Sequence, residues 1–227
     1  MRLQTHMSET EGEISETLRL FPECKSYADV YDRFRLLSER MILAHAIHLR
    51  EDEIQLLIER KCGISHCPTS NINLQSGVFR LMEMTQRGLK IGLGSDVSGG
   101  YAVGLLPVLR EASTVSRTLA LQDAKQKPAP LEALYYFATL GGAQVCGLDQ
   151  RIGKLAPGYD FDALVVNTFP FGDAVVPENP GLFAFDTEPL ASQFEKWIFC
   201  GDDRNIAAVL VRGEVVSGNL PRVAQAH

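Results

Sequence analysis

Short apolar segments alternate with helical patterns through the first two-thirds of this 227-residue chain. Four segments have the length and composition of buried strands, at residues 2–7, 41–47, 63–67 and 90–93. Amphipathic helical patterns lie at residues 11–21, 27–37, 51–61, 79–87, 105–121 and 131–146. Because strands separated by helices pair in parallel rather than as hairpins, this alternation predicts an α/β fold built from βα units.

Ionisable side chains lie at or near the ends of three of these four predicted strands. His6 ends the first strand and Glu9 follows it, His45 lies near the end of the second, and Asp96 follows the fourth. In a (β/α)₈ barrel the catalytic groups lie at the carboxyl ends of the strands. Four βα units are half of such a barrel, so the pattern predicts a partial barrel whose sheet edges are open.

Two imidazoles and a carboxylate on adjacent strand ends can converge on one metal ion. His6, His45 and Asp96 offer the mixed nitrogen and oxygen donors that suit Zn²⁺, and iron accepts the same ligands. A carboxylate beside a metal-bound water can take its proton, and Glu9 can relay that proton to a substrate nitrogen. Taken singly, His45 fits a core residue, Asp96 a turn residue and Glu9 a first-turn acid of a helix. Both interpretations stay open on the residues alone.

Composition and motifs exclude several other function classes. A net charge of −6 argues against nucleic acid or an anionic membrane surface as partner, and no apolar run reaches the length of a membrane helix. The five cysteines are scattered and odd in number, which favours a reducing cytosol over a disulfide scaffold. The glycines around Asp96 lack the third glycine of a dinucleotide fingerprint. His66 and Cys67 are adjacent on a strand, so a thiol–imidazole pair is disfavoured.

The sequence pattern changes after Gly147. Strand-like segments lie within residues 152–167 and 209–216, the second of them a hairpin around Arg212 and Gly213. Between them we expect a Pro- and Phe-rich loop at 169–189 and a helix at 193–199, and we expect residues 222–227 to be frayed. The predicted organisation is a half-barrel domain at residues 1–148 and a β-subdomain at residues 149–227.

Several motifs resemble signatures of the amidohydrolase superfamily. They are QTHMSE (4–9), LAHAIHL (43–49), SHCPTSN (65–71) and IGLGSDVSGGY (91–101). Together with ATLGGAQVCGLD (138–149), IGKLAPGYDFDAL (152–164) and GDDRNI (201–206), they resemble the guanine deaminase family within it. The resemblance implies the last four βα units of a TIM-type barrel and the C-terminal part of a small β-sandwich. It also implies a homodimer that hydrolyses guanine to xanthine and ammonia at one zinc.

The resemblance also implies a role for each residue of the candidate site. His6 and Asp96 would ligate zinc, with Asp96 also acting as base towards water, and Glu9 would move a proton to the purine. His45 would hold or polarise the water, while His6, Glu9 and Asp96 would contact substrate.

The chain departs from the family pattern at one point, because the family's His-x-His pair of zinc ligands is absent from the sequence. Two explanations are open: a piece of a longer chain, or a short form without catalysis. Other readings are a non-catalytic interaction module and an aminohydrolase for another heterocyclic ring.

Overall fold

The computed structural model describes residues 1–168, 182 and 187–220, so most of the predicted loop at 169–189 and the predicted frayed end lie outside the described residues. The chain divides into two compact units, Met1–Gly153 and Lys154–His227. The predicted boundary after residue 148 falls earlier than this division. The reason is local, because Leu148 and Ile152 continue the turn after the preceding helix, with Leu148 N–H donating to the Ala143 carbonyl and Ile152 N–H to the Leu148 carbonyl.

The first unit is a mixed α/β structure with a parallel sheet. Its strands are β1 (Leu3–Met7), β2 (Met41–His45), β3 (Gly63–His66) and β4 (Lys90–Leu93). Its helices are α1 (Glu11–Leu20), α2 (Tyr27–Arg33), α3 (Glu51–Glu59), α4 (Pro68–Asn73), α5 (Leu81–Gln86), α6 (Leu105–Gln122), α7 (Leu131–Tyr136) and α8 (Gly142–Val145). The sheet order is β1-β2-β3-β4, and all three pairings are parallel. The four predicted strands and their parallel pairing are therefore confirmed.

Some predicted boundaries are wrong, and the end of β2 has a local cause. β2 ends at His45 rather than at residue 47, because His45 and Ala46 adopt positive φ angles of 67° and 49°. The predicted helix at 131–146 is interrupted by a π-helical turn, Phe137–Gly141, between α7 and α8. α4 was not predicted, although proline is favoured at the first position of a helix and Pro68 occupies that place.

The core of the first unit lies against the sheet. Leu43, Ile64 and Ile91 are buried on neighbouring strands, and each buried aliphatic side chain stabilises the fold by roughly 2 kcal/mol. Gly92 lets β4 approach α8 closely, because a Cβ atom there would lie 2.7 Å from the Gly142 Cα atom. This close backbone packing fixes the position of β4, and therefore of the loop that follows it.

The second unit contains an antiparallel sheet of order β5-β6-β7, made of β5 (Ala163–Val166), β6 (Ile206–Val211) and β7 (Glu214–Gly218). Helix α9 (Leu190–Cys200) and a 3₁₀ turn, Asp203–Asn205, precede β6. The predicted hairpin is confirmed, with Arg212 and Gly213 both at positive φ as a tight two-residue turn requires. Of the two segments predicted within 152–167, only β5 forms a strand. None of the described helices is long and apolar enough to cross a membrane.

Candidate active site

The carboxyl ends of β1, β2 and β4 bring the predicted site residues together. His45 Nε2 lies 3.7 Å from Glu9 Oε2 and 3.8 Å from Asp96 Oδ2. His6 Nε2 lies 4.0 Å from Asp96 Oδ1, and the His6 and His45 rings meet edge to face with centroids 5.0 Å apart. The parallel register explains why the ends of β1 and β2 lie side by side, since Met7 of β1 pairs with His45 of β2.

The backbone at these strand ends turns sharply. The Ala46 N–H donates to the Met7 carbonyl, and the Ile47 and His48 N–H groups both donate to the Ser8 carbonyl. Non-glycine residues with positive φ accumulate here, with Ser8 at 50°, His45 at 67° and Asp96 at 46°. Such backbone angles are uncommon and are characteristic of functional sites.

His45 is completely buried, and its two ring nitrogens have different surroundings. Nδ1 lies 2.8 Å from the side-chain oxygen of Asn71, an acceptor, so Nδ1 carries the proton. Nε2 then presents a lone pair, and among the described residues it has no hydrogen-bond partner. A buried nitrogen lone pair without a donor, beside two carboxylates, requires a ligand such as a metal ion or a water molecule.

The donor set fits a divalent metal ion. Ligands of a tetrahedral zinc lie about 3.4 Å from one another, and the separations of His45 and His6 from the Asp96 oxygens are only slightly larger. Donor atoms of His6, Glu9 and His45 also lie within 4.8 Å of one another. Asp96 therefore places one carboxylate oxygen near each imidazole, so the three side chains are close enough to bind one metal ion.

Asn71 and Ser76, to which the sequence motifs assign no role, contact the side chains of His45 and Glu9. Asn71 fixes the tautomer of His45, and Ser76 donates its hydroxyl hydrogen to Glu9 Oε1 at 2.7 Å. Asn71 closes the SHCPTSN motif and Ser76 follows five residues later, so their signal was present without a geometry to interpret it.

His66 and Cys67 border the site without the properties of a reactive pair. Burial, with a smaller contribution from His45, lowers the pKa of His66 to about 3, and its ring packs on Phe79 with centroids 4.9 Å apart. Burial raises the pKa of the Cys67 thiol to about 11, so this group is protonated at neutral pH. A thiolate nucleophile is not available at this position.

Comparison with known proteins shows the class to which this fold and site belong. The Amidohydrolase family model matches residues 1–216, and the chain belongs to that family. Among curated relatives, a probable guanine deaminase of Schizosaccharomyces pombe is 47% identical over 218 residues, which are 95% of this chain and 40% of that protein.

Solved structures show the same likeness. The guanine deaminase of E. coli matches with a TM-score of 0.83 and 32% identity over 97% of this chain and 48% of its own. The guanine deaminase of C. acetobutylicum, solved with guanine in its active site, matches with a TM-score of 0.83 and 31% identity over 96% of this chain and 49% of its own. The predicted family is confirmed, and the chain spans about half the length of the proteins it matches.

Proposed function

We propose that this chain provides the carboxyl-terminal half of a zinc-dependent guanine deaminase, which hydrolyses guanine to xanthine and ammonia. The observation that carries the proposal is the buried, unpartnered lone pair of His45 between the carboxylates of Glu9 and Asp96. The likeness to guanine deaminases, including one with guanine bound, supports guanine as the substrate.

The proposal includes an architecture for the whole protein. The first unit would supply the last four βα units of a TIM-type barrel, and the second would supply the carboxyl-terminal part of a small β-sandwich. We also propose a homodimer located in the cytosol. All five cysteines lie among the described residues and are unpaired, which supports a reducing compartment.

His6 and Asp96 would hold the metal ion, with zinc as the proposed identity. The family's His-x-His pair would supply the other ligands, and this chain contains no such pair. When bound, the ion supplies the positive charge that makes a water molecule acidic enough to attack at neutral pH.

The chain's own residues can then carry the proton transfers. Asp96 accepts the proton of the attacking water, while the His45 lone pair at Nε2 accepts a hydrogen bond that orients it. Glu9 relays this proton to the ring nitrogen adjacent to the carbon that bears the amino group, as the oxygen adds to that carbon. Asp96 then takes the remaining proton from the added hydroxyl and passes it to the amino group. The carbon–nitrogen bond breaks, the carbon–oxygen double bond forms, and ammonia leaves.

A non-catalytic interaction module is the second candidate function. Within the part of the chain that the structure describes, β1 and β4 each pair on one side only, so two strand edges are open. Size-exclusion chromatography tests this second candidate, because a stable monomer of this chain would contradict an interaction module.

The proposed deaminase is tested by ammonia release from guanine with the protein isolated from its source. We expect Glu9→Gln to lower the turnover number by about 10²- to 10⁴-fold while the metal remains bound, because Gln keeps the shape but cannot carry the proton. Glu16→Gln is the matched control, since Glu16 pairs with Arg19 on the exposed face of α1. Full activity in Glu9→Gln would contradict the proton-transfer role of Glu9. A wild-type protein that releases no ammonia from guanine would contradict the proposed function.

A panel of triazine, pyrimidine and adenosine-like rings, assayed in the same way, tests the remaining alternative. Ammonia release from guanine alone would support the proposed substrate. Faster release from another ring would transfer the same chemistry to that substrate class.

A further inference from the structure

The two oxygens of the Glu9 carboxylate lie in different surroundings. Oε1 accepts the hydrogen bond of the Ser76 hydroxyl at 2.7 Å, whereas Oε2 lies 3.7 Å from His45 Nε2. One oxygen is therefore held by the protein and the other faces the reaction site. The backbone of Glu9 is fixed as well, since its N–H donates to the Glu13 carboxylate at 2.8 Å.

Ser76 is itself held through both of its backbone groups. Its N–H donates to the Asn71 carbonyl at 2.9 Å, and its carbonyl accepts from His48 Nε2 at 2.8 Å. The side chain is 7% exposed, so water competes little for the hydroxyl. The hydroxyl therefore has a fixed origin from which to reach Glu9.

His48 completes the support of this segment. The loop after β2 holds His48, because its N–H donates to the Ser8 carbonyl at 3.1 Å. Its ring packs on the backbone at Gly77, where a Cβ atom would lie only 2.9 Å from His48 Nε2. Gly77 has a φ of 143°, so glycine serves both the turn and the close approach.

We infer that Ser76, supported by His48, is a positioning residue that presents Glu9 Oε2 to the substrate for proton transfer. The inference rests on the proposed function. A hydrogen bond on Oε1 fixes the side-chain torsions of Glu9 and occupies the oxygen that would otherwise compete for the proton. Proton transfer depends steeply on such placement, because misplacement by about 1 Å can cost about a hundredfold in rate.

Three variants of the full-length protein test the inference: Ser76→Ala, Ser76→Thr and Ser113→Ala. Ser76→Ala removes the bond to Glu9, and we expect kcat for guanine to fall by about tenfold or more with KM changed less than about threefold. Ser76→Thr retains a hydroxyl and should recover most of kcat. Ser113 is a buried serine of α6 that bonds to Arg117, so Ser113→Ala should leave both constants unchanged.

A crystal structure of Ser76→Ala decides the inference independently of activity. We expect the Glu9 carboxylate to leave its wild-type position while the fold is retained. An unmoved carboxylate, full kcat, or a change confined to KM would overturn the inference. If the wild-type protein releases no ammonia from guanine, the proposed function fails. The role of Ser76 is then tested by comparing the position of the Glu9 carboxylate in crystal structures of the wild type and of Ser76→Ala.

Discussion

Both ends of the parallel sheet carry ionisable side chains, but these side chains are solvated at the amino end and partly or fully buried around His45 at the carboxyl end. The amino end borders an open hollow of about 780 Å³ whose lining includes Arg2, Glu39, Arg40, Lys90 and Asp149. The charges there border open solvent, and the hydrogen bond that Arg2 donates to the Gly147 carbonyl is solvent-exposed. Exposed polar contacts of this kind contribute little to stability.

The carboxyl end concentrates the costly features. It holds the buried lone pair of His45, the unpartnered buried hydroxyls of Ser8 and Ser70 among the described residues, and four non-glycine residues at positive φ, which are Ser8, His45, Ala46 and Asp96. Each of these features costs stability, and proteins retain such features mainly where a ligand or a reaction requires them. In this sheet, unsatisfied buried groups and backbone strain mark the functional end, whereas the number of charged residues and the size of a hollow do not.

Asn71→Ala should sharpen the comparison most, because it removes the anchor of His45 Nδ1. Without the anchor, the ring can rotate or change tautomer, and the Nε2 lone pair no longer points between the carboxylates. We expect metal affinity or turnover to fall by about 10- to 100-fold. Zinc competition with a chelator and ammonia release measure the two effects. Asn71→Asp keeps the acceptor oxygen and should lose less; an equal loss in both variants would contradict the anchoring role.

The buried His66 should make the carboxyl end sensitive to acid. Its pKa is about 3 in the folded protein and about 6.5 in the unfolded chain, so between these values the unfolded chain binds more protons. The stability of the fold therefore falls as the pH drops below about 6.5. Between pH 7 and pH 5 we expect the wild type to lose about 2 kcal/mol more than His66→Leu, as measured by urea unfolding. Parallel losses in both proteins would show that His66 does not contribute.

Arg2→Ala should have the smallest effect, because it changes only the amino end. Arg2 donates one exposed hydrogen bond to the Gly147 carbonyl at 2.8 Å. We expect the free energy of unfolding to fall by less than about 1 kcal/mol and turnover of guanine to stay within about twofold. A tenfold loss of turnover would break the comparison, since it would assign function to the end that we describe as structural.

The sequence predicts those parts of the fold that local residue patterns determine. It does not predict contacts between residues that are far apart in the chain. The four strands follow from apolar runs, and His6, His45 and Asp96 were found because they end those strands. The π-helical turn at Phe137–Gly141 has no signal in the apolar periodicity of the segment, which is that of a continuous helix. Ser76 and Asn71 were missed because each acts on a residue at least 26 positions away in the chain.

We propose that the carboxyl end of the parallel sheet binds a catalytic metal. Anomalous diffraction at the zinc absorption edge, from crystals of the protein isolated from its source, tests it most directly. The account predicts one anomalous peak within coordination distance of His6 and Asp96, with the His45 Nε2 lone pair directed to the same place. No peak at this end, or a peak in the hollow beside Glu39 and Asp149, would contradict it.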